Sequence, residues 1–382
     1  MASEDKRIPV TLLTGFLGAG KTTLLNHLIR DQEAGRIAVI MNEFGDVGLD
    51  HDLIEEATEE TVLLQSGCLC CAILGDLAKT LVGLMAKRTA GDLDFDRVVI
   101  ETSGISDPAP IVHTLATDYQ IAQAFQLDGV VTLADAATGM KTLDQQFEAV
   151  HQVAMADVLI LSKTDLVDRF DLSRFQKRLE GLNGSARRVL ADHGRVPAGT
   201  LFGLSAMRAG VTSTDVDAWL GMAPELTKPD PLAGLSGLTA NTAASATFDL
   251  SLPVAQDHHD QRINSASIEV AEPIPATVFD FWLDTLIALK GPNILRIKGI
   301  LHVQDLPYPF VFHGVQHIFD APVPLKSWDG QDTTSRVVVI ARDMKEADLR
   351  ASLEMLLMRP EGGTTSQASS GGMMVQTIEM PF

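Results

Sequence analysis

Along the first half of the chain, short apolar runs rich in Val, Ile and Leu alternate with stretches whose apolar residues recur at helical spacing. This alternation predicts βαβ units around a mostly parallel sheet. The predicted strands are Pro9–Thr14, Ile37–Met41, Thr61–Gln65, Arg97–Glu101, Gly129–Ala134 and Val158–Ser162, and helices are expected over Lys21–Arg30, Leu74–Lys87 and Leu143–Met155. Several strands are nearly unbroken apolar runs, as expected for strands covered on both faces.

From Gly221 to Asp260 the pattern fades into Pro, Gly, Ser, Thr and Ala, which reads as a linker. Beyond it, strand-like Ser267–Ala271, helical Thr277–Leu289, strand-like Leu295–Val303 and Phe310–Phe319, strand-like Arg336–Ala341 and helical Lys345–Met358 suggest an α+β unit related to the βαββαβ type, that is, a smaller ferredoxin-like domain. The expected division is a nucleotide-binding α/β domain over 1–220, a linker over 221–262, the α+β domain over 263–358 and a disordered tail over 359–382.

The 382 residues exceed one ordinary core of roughly 100 to 200 residues, in keeping with two domains. With 50 acidic against 30 basic residues the net charge is −20, which opposes association with nucleic acid or an anionic membrane. No stretch has the roughly 18 consecutive apolar residues of a membrane span, and the N-terminus lacks a secretory pattern, so a cytoplasmic location is expected. All three cysteines, Cys68, Cys70 and Cys71, fall in one four-residue window. Such spacing suits reduced thiols better than a disulfide framework.

Gly15-Phe-Leu-Gly18-Ala-Gly20-Lys21-Thr22 follows a strand, opens a helix and fits the full phosphate-loop pattern. Its backbone amides and the positive helix end suit an anion, Lys21 would reach the β- and γ-oxygens, and the Thr22 hydroxyl would ligate Mg²⁺. Glu101, ending a buried strand, is the candidate carboxylate near that ion, and Gly104 could set its amide against the γ-phosphate. Ser162-Lys163-Thr164-Asp165 follows the sixth strand. Asp165 would accept from the two N–H donors on the edge of guanine, with Lys163 covering the ring, although a serine stands where asparagine is usual.

Thr14–Thr23, Asn42-Glu43-Phe-Gly45, Gly67–Cys71, Glu101–Gly104 and Ser162–Asp165, together with Leu295-Arg-Ile-Lys-Gly299 and His313-Gly-Val-Gln-His317, make the chain resemble the CobW-like branch of the P-loop GTPases. Thr23, in the first of these motifs, is carried over as a nucleotide-binding residue. The resemblance implies GTP hydrolysis coupled to binding and delivery of a divalent transition metal, Zn²⁺ or Co²⁺, to a client metalloprotein or metal-insertion complex, with slow turnover raised by the metal or client. Relatives often have an acidic residue just before the Asn42–Gly45 segment; here it is Met41.

Read as residues, the thiols can be soft metal ligands in a site open enough for exchange, or small buried apolar groups. Glu43 and Asp46 are possible further donors. His258 and His259 could capture metal from the linker, whereas His313 and His317, four apart on a predicted strand, read as structural. A sensor that binds GTP without turning it over, its closely spaced thiols open to oxidation, is the alternative to an enzyme. A small-molecule kinase shares the phosphate loop but lacks a recognisable acceptor segment. The physiological metal, the water-positioning residue and the oligomeric state are left open by the sequence.

Overall fold

In a computed structural model, the described residues are 7–42, 61–66, 73–208, 211–221, 262–326, 328 and 332–359. Seven parallel strands form the first sheet: β1 (Ile8–Gly15), β2 (Ile37–Asn42), β3 (Thr61–Ser66), β4 (Arg97–Glu101), β5 (Phe125–Asp135), β6 (Val158–Ser162) and β7 (Arg187–Leu190). Their order is β3-β2-β4-β1-β5-β6-β7, with every neighbouring pair parallel. The helices of this half are α1 (Lys21–Ile29), α2 (Ile73–Ala90), α3 (Ala109–Thr117), α4 (Tyr119–Ala124), α5 (Gly139–Gln145), α6 (Phe147–Met155), α7 (Arg169–Leu182) and α8 (Ser213–Trp219).

The period of two along each strand decides which helices cover which face. Val10, Leu12, Ala38, Ile40, Val98 and Ile100 join one cluster, with α2, α3 and α4, while Leu13, Ile37, Val39 and Val99 join another, with α1. On α2 the buried leucines are 77, 81 and 84, a helical stripe. Burying each contributes about 2 kcal/mol.

The expected helix over 143–155 is two helices. Gln146 between them is extended, at φ −121° and ψ 111°. The bend lets α5 lie on α7, where Gly139 abuts the Phe175 ring, while α6 buries Ala149, Val150, Val153 and Ala154 elsewhere in the same cluster.

The second sheet contains β8 (Ile263–Val270), β9 (Ile294–Leu301), β10 (Phe310–Val315), β11 (Ile318–Phe319), β12 (Val323–Pro324) and β13 (Ser335–Arg342), with helices α9 (Ala276–Lys290) and α10 (Glu346–Glu354). Its strands run β11-β10-β9-β13-β8, with β12 also on β10, and all these strand pairs are antiparallel. β13 sits between β8 and β9, the split β-α-β arrangement of the expected α+β layering. The predicted strand 310–319 is a hairpin, because Gln316 takes a positive φ of 57° and the chain turns there. His317 therefore lies in an exposed turn, and His313 stays buried with its Nε2 against Asp320.

One face of this sheet packs Phe279, Trp282 and Leu286 of α9 and Leu349 and Leu353 of α10. On the other face, Ile263, Leu295 and Ile340 enter the cluster built by α6 and α7. A register shift between Ile340 and Ala341 lets both Leu295 and Arg296 reach the first half. Arg296 and Lys298 are buried there and converge on Asp157: the Arg296 Nη2 lies 2.6 and 2.7 Å from the two carboxylate oxygens, and the Lys298 Nζ lies 2.6 Å from Oδ1. Burial by itself would raise the Asp157 carboxyl, yet the two cations hold it down at about 2. Burial lowers Lys298 to about 8. No helix among the described residues is long and apolar enough to cross a membrane.

Candidate functional site

The phosphate loop leaves β1 in the middle of the first sheet, at the carboxyl ends of its strands, where open α/β sheets place ligands. Gly15 has φ 143°, and a Cβ there would fall 2.6 Å from the Leu133 carbonyl oxygen of β5. Only glycine lets β1 turn out so close to its neighbour. Gly18 and Gly20 also have positive φ, at 75° and 98°, and Gly20 precedes α1 with no side-chain cap. The first amides of a helix have no partner within it, so a start without a side-chain cap suits an anion.

Lys21 is buried, and its Nζ donates to the Gly15 carbonyl at 2.8 Å, so the ammonium lies folded across the loop. Thr22 Oγ1 donates to Glu101 Oε1 at 3.5 Å. Thr23 is exposed, on the side where Gly194 meets α1. Beyond Glu101, Thr102 donates from its amide to Leu13 O at 2.9 Å and from Oγ1 to Thr14 Oγ1 at 2.8 Å. These bonds tie the loop after β4 to β1. At Gly104 a Cβ would sit 2.6 Å from the Leu17 nitrogen, so this glycine lies directly against the phosphate loop. An open cleft of about 330 Å³ is lined by the loop, Thr22, Thr23, Met41, Glu101 and the segment to Gly104.

At the end of β6, Ser162 Oγ donates to the Ala19 carbonyl at 2.7 Å. The serine thus fastens the following loop to the phosphate loop, a tie that the motif pattern, in which serine only replaces the usual asparagine, does not reveal. Lys163 has φ 54°, and its Nζ donates to Asp135 Oδ2 at 2.7 Å. Asp135 also accepts from the amides of Ala137 and Thr138. Burial raises the Asp135 carboxyl, but the bonds from Lys163 and the Ala137 amide leave it below the ordinary carboxylate range. Sequence reasoning misses Asp135; its signal is an aspartate ending a buried strand just before Ala-Ala-Thr, a turn it can cap. Asp165 is exposed in the turn after β6.

Cys68, Cys70, Cys71, Glu43 and Asp46 lie outside the described residues, as do His258 and His259. What is described is the start of both segments. β2 and β3 pair in parallel register, with Asn42 opposite Ser66, and Met41 also pairs with Glu101 on β4. Among the described residues no group of three or more His, Cys, Asp or Glu side chains could hold a metal ion.

The fold and this cleft define a P-loop nucleotide-binding protein carrying a second α+β domain. Residues 9–189 match the CobW/HypB/UreG nucleotide-binding domain, and residues 263–357 match the cobalamin synthesis protein cobW C-terminal domain. The chain is 32% identical over 347 residues to the zinc chaperone YjiA of Escherichia coli, across 90% of this chain and 97% of that protein. It is 38% identical over 359 residues to the zinc-regulated GTPase metalloprotein activator 1 of Schizosaccharomyces pombe, across 88% and 83% of the two chains. The zinc-bound crystal structure of the E. coli YjiA GTPase superposes with a TM-score of 0.65 at 27% identity, covering 92% of this chain and 99% of that one. The protein belongs to the CobW-like family of P-loop GTPases.

Proposed function

We propose that the protein is a Mg²⁺-dependent GTPase that takes up zinc, or cobalt, through Cys68, Cys70 and Cys71 and releases it to a client metalloprotein according to its nucleotide state. The observation that carries this reading is the register at the edge of the sheet. β2 ends at Asn42 and β3 at Ser66, side by side, and two residues after Ser66 the thiol segment begins. Met41, opposite Glu101, joins the cleft to the start of the segment containing Glu43. Forces on that segment from a γ-phosphate and forces on the thiols from a metal would thus act on paired strands. The zinc-related names of its relatives support the metal assignment.

Thr22 and Glu101 offer hard oxygen donors at one end of the cleft, a set that fits Mg²⁺. When bound, the ion would neutralise charge on the β- and γ-phosphates. In this reading Lys21 leaves Gly15 O for the phosphates, and Gly15, Gly18 and Gly20 keep the loop open to them. Gly104 lets its own segment approach the terminal phosphate. Lys163 covers the base while Asp165 accepts from its edge.

Competitive zinc and cobalt titration in Mg²⁺ with GDP or a non-hydrolysable GTP analogue tests the coupling. Zinc affinity is expected to differ between the two states by about 5- to 150-fold, the usual range of such couplings, and Cys70→Ala/Cys71→Ala should abolish the difference. Equal affinities in wild type would overturn the switch. Asp135→Asn supplies a separate check on base recognition. An asparagine can still accept from the two turn amides, but it loses the charge that steadies Lys163. Guanine-nucleotide affinity is expected to fall about tenfold, read by fluorescent GDP binding, with melting temperature little changed.

A further inference from the structure

Helix α6 touches both the loop that lies on the phosphate loop and the second sheet. Its Gln152, buried at 1% exposure, donates from Nε2 to the carbonyls of Gly104 and Ser106, each at 3.1 Å. Its neighbour His151, also buried, holds Nδ1 3.1 Å from Asp107 Oδ1 and stacks on Phe147. Burial raises the Asp107 carboxyl, but the His151 bond and the Ala109 amide leave it below its ordinary value. Consecutive side chains of one helix therefore grip the segment from 104 to 107.

The residues that directly follow Gln152 are held as firmly. Asn183 Nδ2 donates to the carbonyls of Val153, Ala154 and Ala156, and Arg296 Nη1 donates to the Met155 carbonyl at 2.7 Å. That same guanidinium is the partner of Asp157, so the last turn of α6 is fixed directly to β9. Arg262, at the head of β8, lies over the Phe147 ring at 5.0 Å. The bonds to the loop at 151 and 152 and those to Asn183 and Arg296 at 153–156 thus fall on adjoining residues of one short helix, so that stretch moves as one piece. Because a close-packed core does not deform continuously, a shift of the loop that moves this stretch is carried to β9 through the Met155 carbonyl and Arg296.

We propose that Gln152 is a positioning residue for the nucleotide reaction, and that through it α6 couples the Gly104–Ser106 loop to β9 of the second domain. The inference rests on the GTPase reading above and adds where the nucleotide state is delivered. An amide suits this post because its N–H₂ group can satisfy two carbonyls at once; its own oxygen has no hydrogen-bond partner among the described residues.

The test compares hydrogen exchange of the 294–301 segment in the full chain with GDP and with a non-hydrolysable GTP analogue, in wild type and Gln152→Met. Wild type is expected to change exchange in 294–301 with nucleotide. In Gln152→Met the change should vanish, kcat should fall about tenfold for two lost hydrogen bonds, and the KM for GTP and the GDP affinity should stay within about threefold. Gln152→Asn, one methylene too short to reach both carbonyls, serves if the first variant does not fold, with the same expected loss of the exchange response. A wild type that binds and hydrolyses GTP yet exchanges identically in both states overturns the inference alone, as does a variant retaining the full wild-type response. A wild type that binds no guanine nucleotide overturns the GTPase reading, and this inference with it.

Discussion

Lys21→Ala is expected to cut GTP turnover by roughly 10²- to 10³-fold, the range for removing one preorganised charge-stabilising donor from an active site. The Lys21 ammonium is buried and already sits 2.8 Å from the Gly15 carbonyl. It is therefore held within the loop before any phosphate arrives, and transferring it to a phosphate oxygen exchanges one acceptor for a charged one. The change should fall mainly on kcat, with a smaller rise in KM, because the loop amides proposed to grip the β-phosphate would remain. Single-turnover hydrolysis with GTP in excess of its affinity separates the two effects. Lys21→Arg should recover little: the planar guanidinium replaces a compact charge in a loop closed by Ala19, itself tied to Ser162. A turnover unchanged by Lys21→Ala would mean that the cleft does not perform the hydrolysis.

How much of this is legible in the sequence follows from the range of the forces involved. The strands around β1, the phosphate loop and Glu101 can be read directly, because glycine spacing and continuous apolar runs are local signals. β7, Arg187–Leu190, escapes because an edge strand beginning with two arginines carries neither alternation nor an apolar run. The break at Gln146 carries no glycine or proline; it arises because α5 and α6 pack separately within the apolar cluster they share with α7. In Leu295-Arg-Ile-Lys-Gly299, alternation alone would put Arg296 and Lys298 on a solvent face. Both are in fact buried at 3% and 1% exposure, because Asp157, 139 residues before Arg296, faces them. No local pattern encodes a partner at that separation. The same applies to Gln152, whose value lies in two carbonyls nearly fifty residues upstream.

Arg296→Met is expected to destabilise the folded chain by about 3 to 5 kcal/mol, the cost of removing one partner from a buried ion pair. It strands part of the Asp157 charge, frees the Met155 carbonyl and leaves Lys298 as the remaining cation of the cluster. Lys298→Met should cost less. Its ammonium is itself penalised by burial, which lowers it to about 8, and Arg296 still holds both carboxylate oxygens when it is gone. The pH dependence separates the two groups. Asp157 titrates at about 2 when folded against an ordinary 3.8, so its stabilisation is complete above 3.8 and is lost as the pH falls through about 2. That loss is on the order of 2 kcal/mol. Lys298 has a lowered value too, so between about 8 and its ordinary 10.5 the unfolded chain binds more protons than the folded one, and stability rises with pH across that window. Denaturant unfolding from about pH 7 to the ordinary lysine value of 10.5 should show that rise in wild type relative to Lys298→Met. Replacing all three groups by apolar residues should restore much of the stability lost in Arg296→Met, because no charge is then left buried alone. A triple variant as unstable as Arg296→Met would mean that the ion pairs stabilise the seam beyond their desolvation cost.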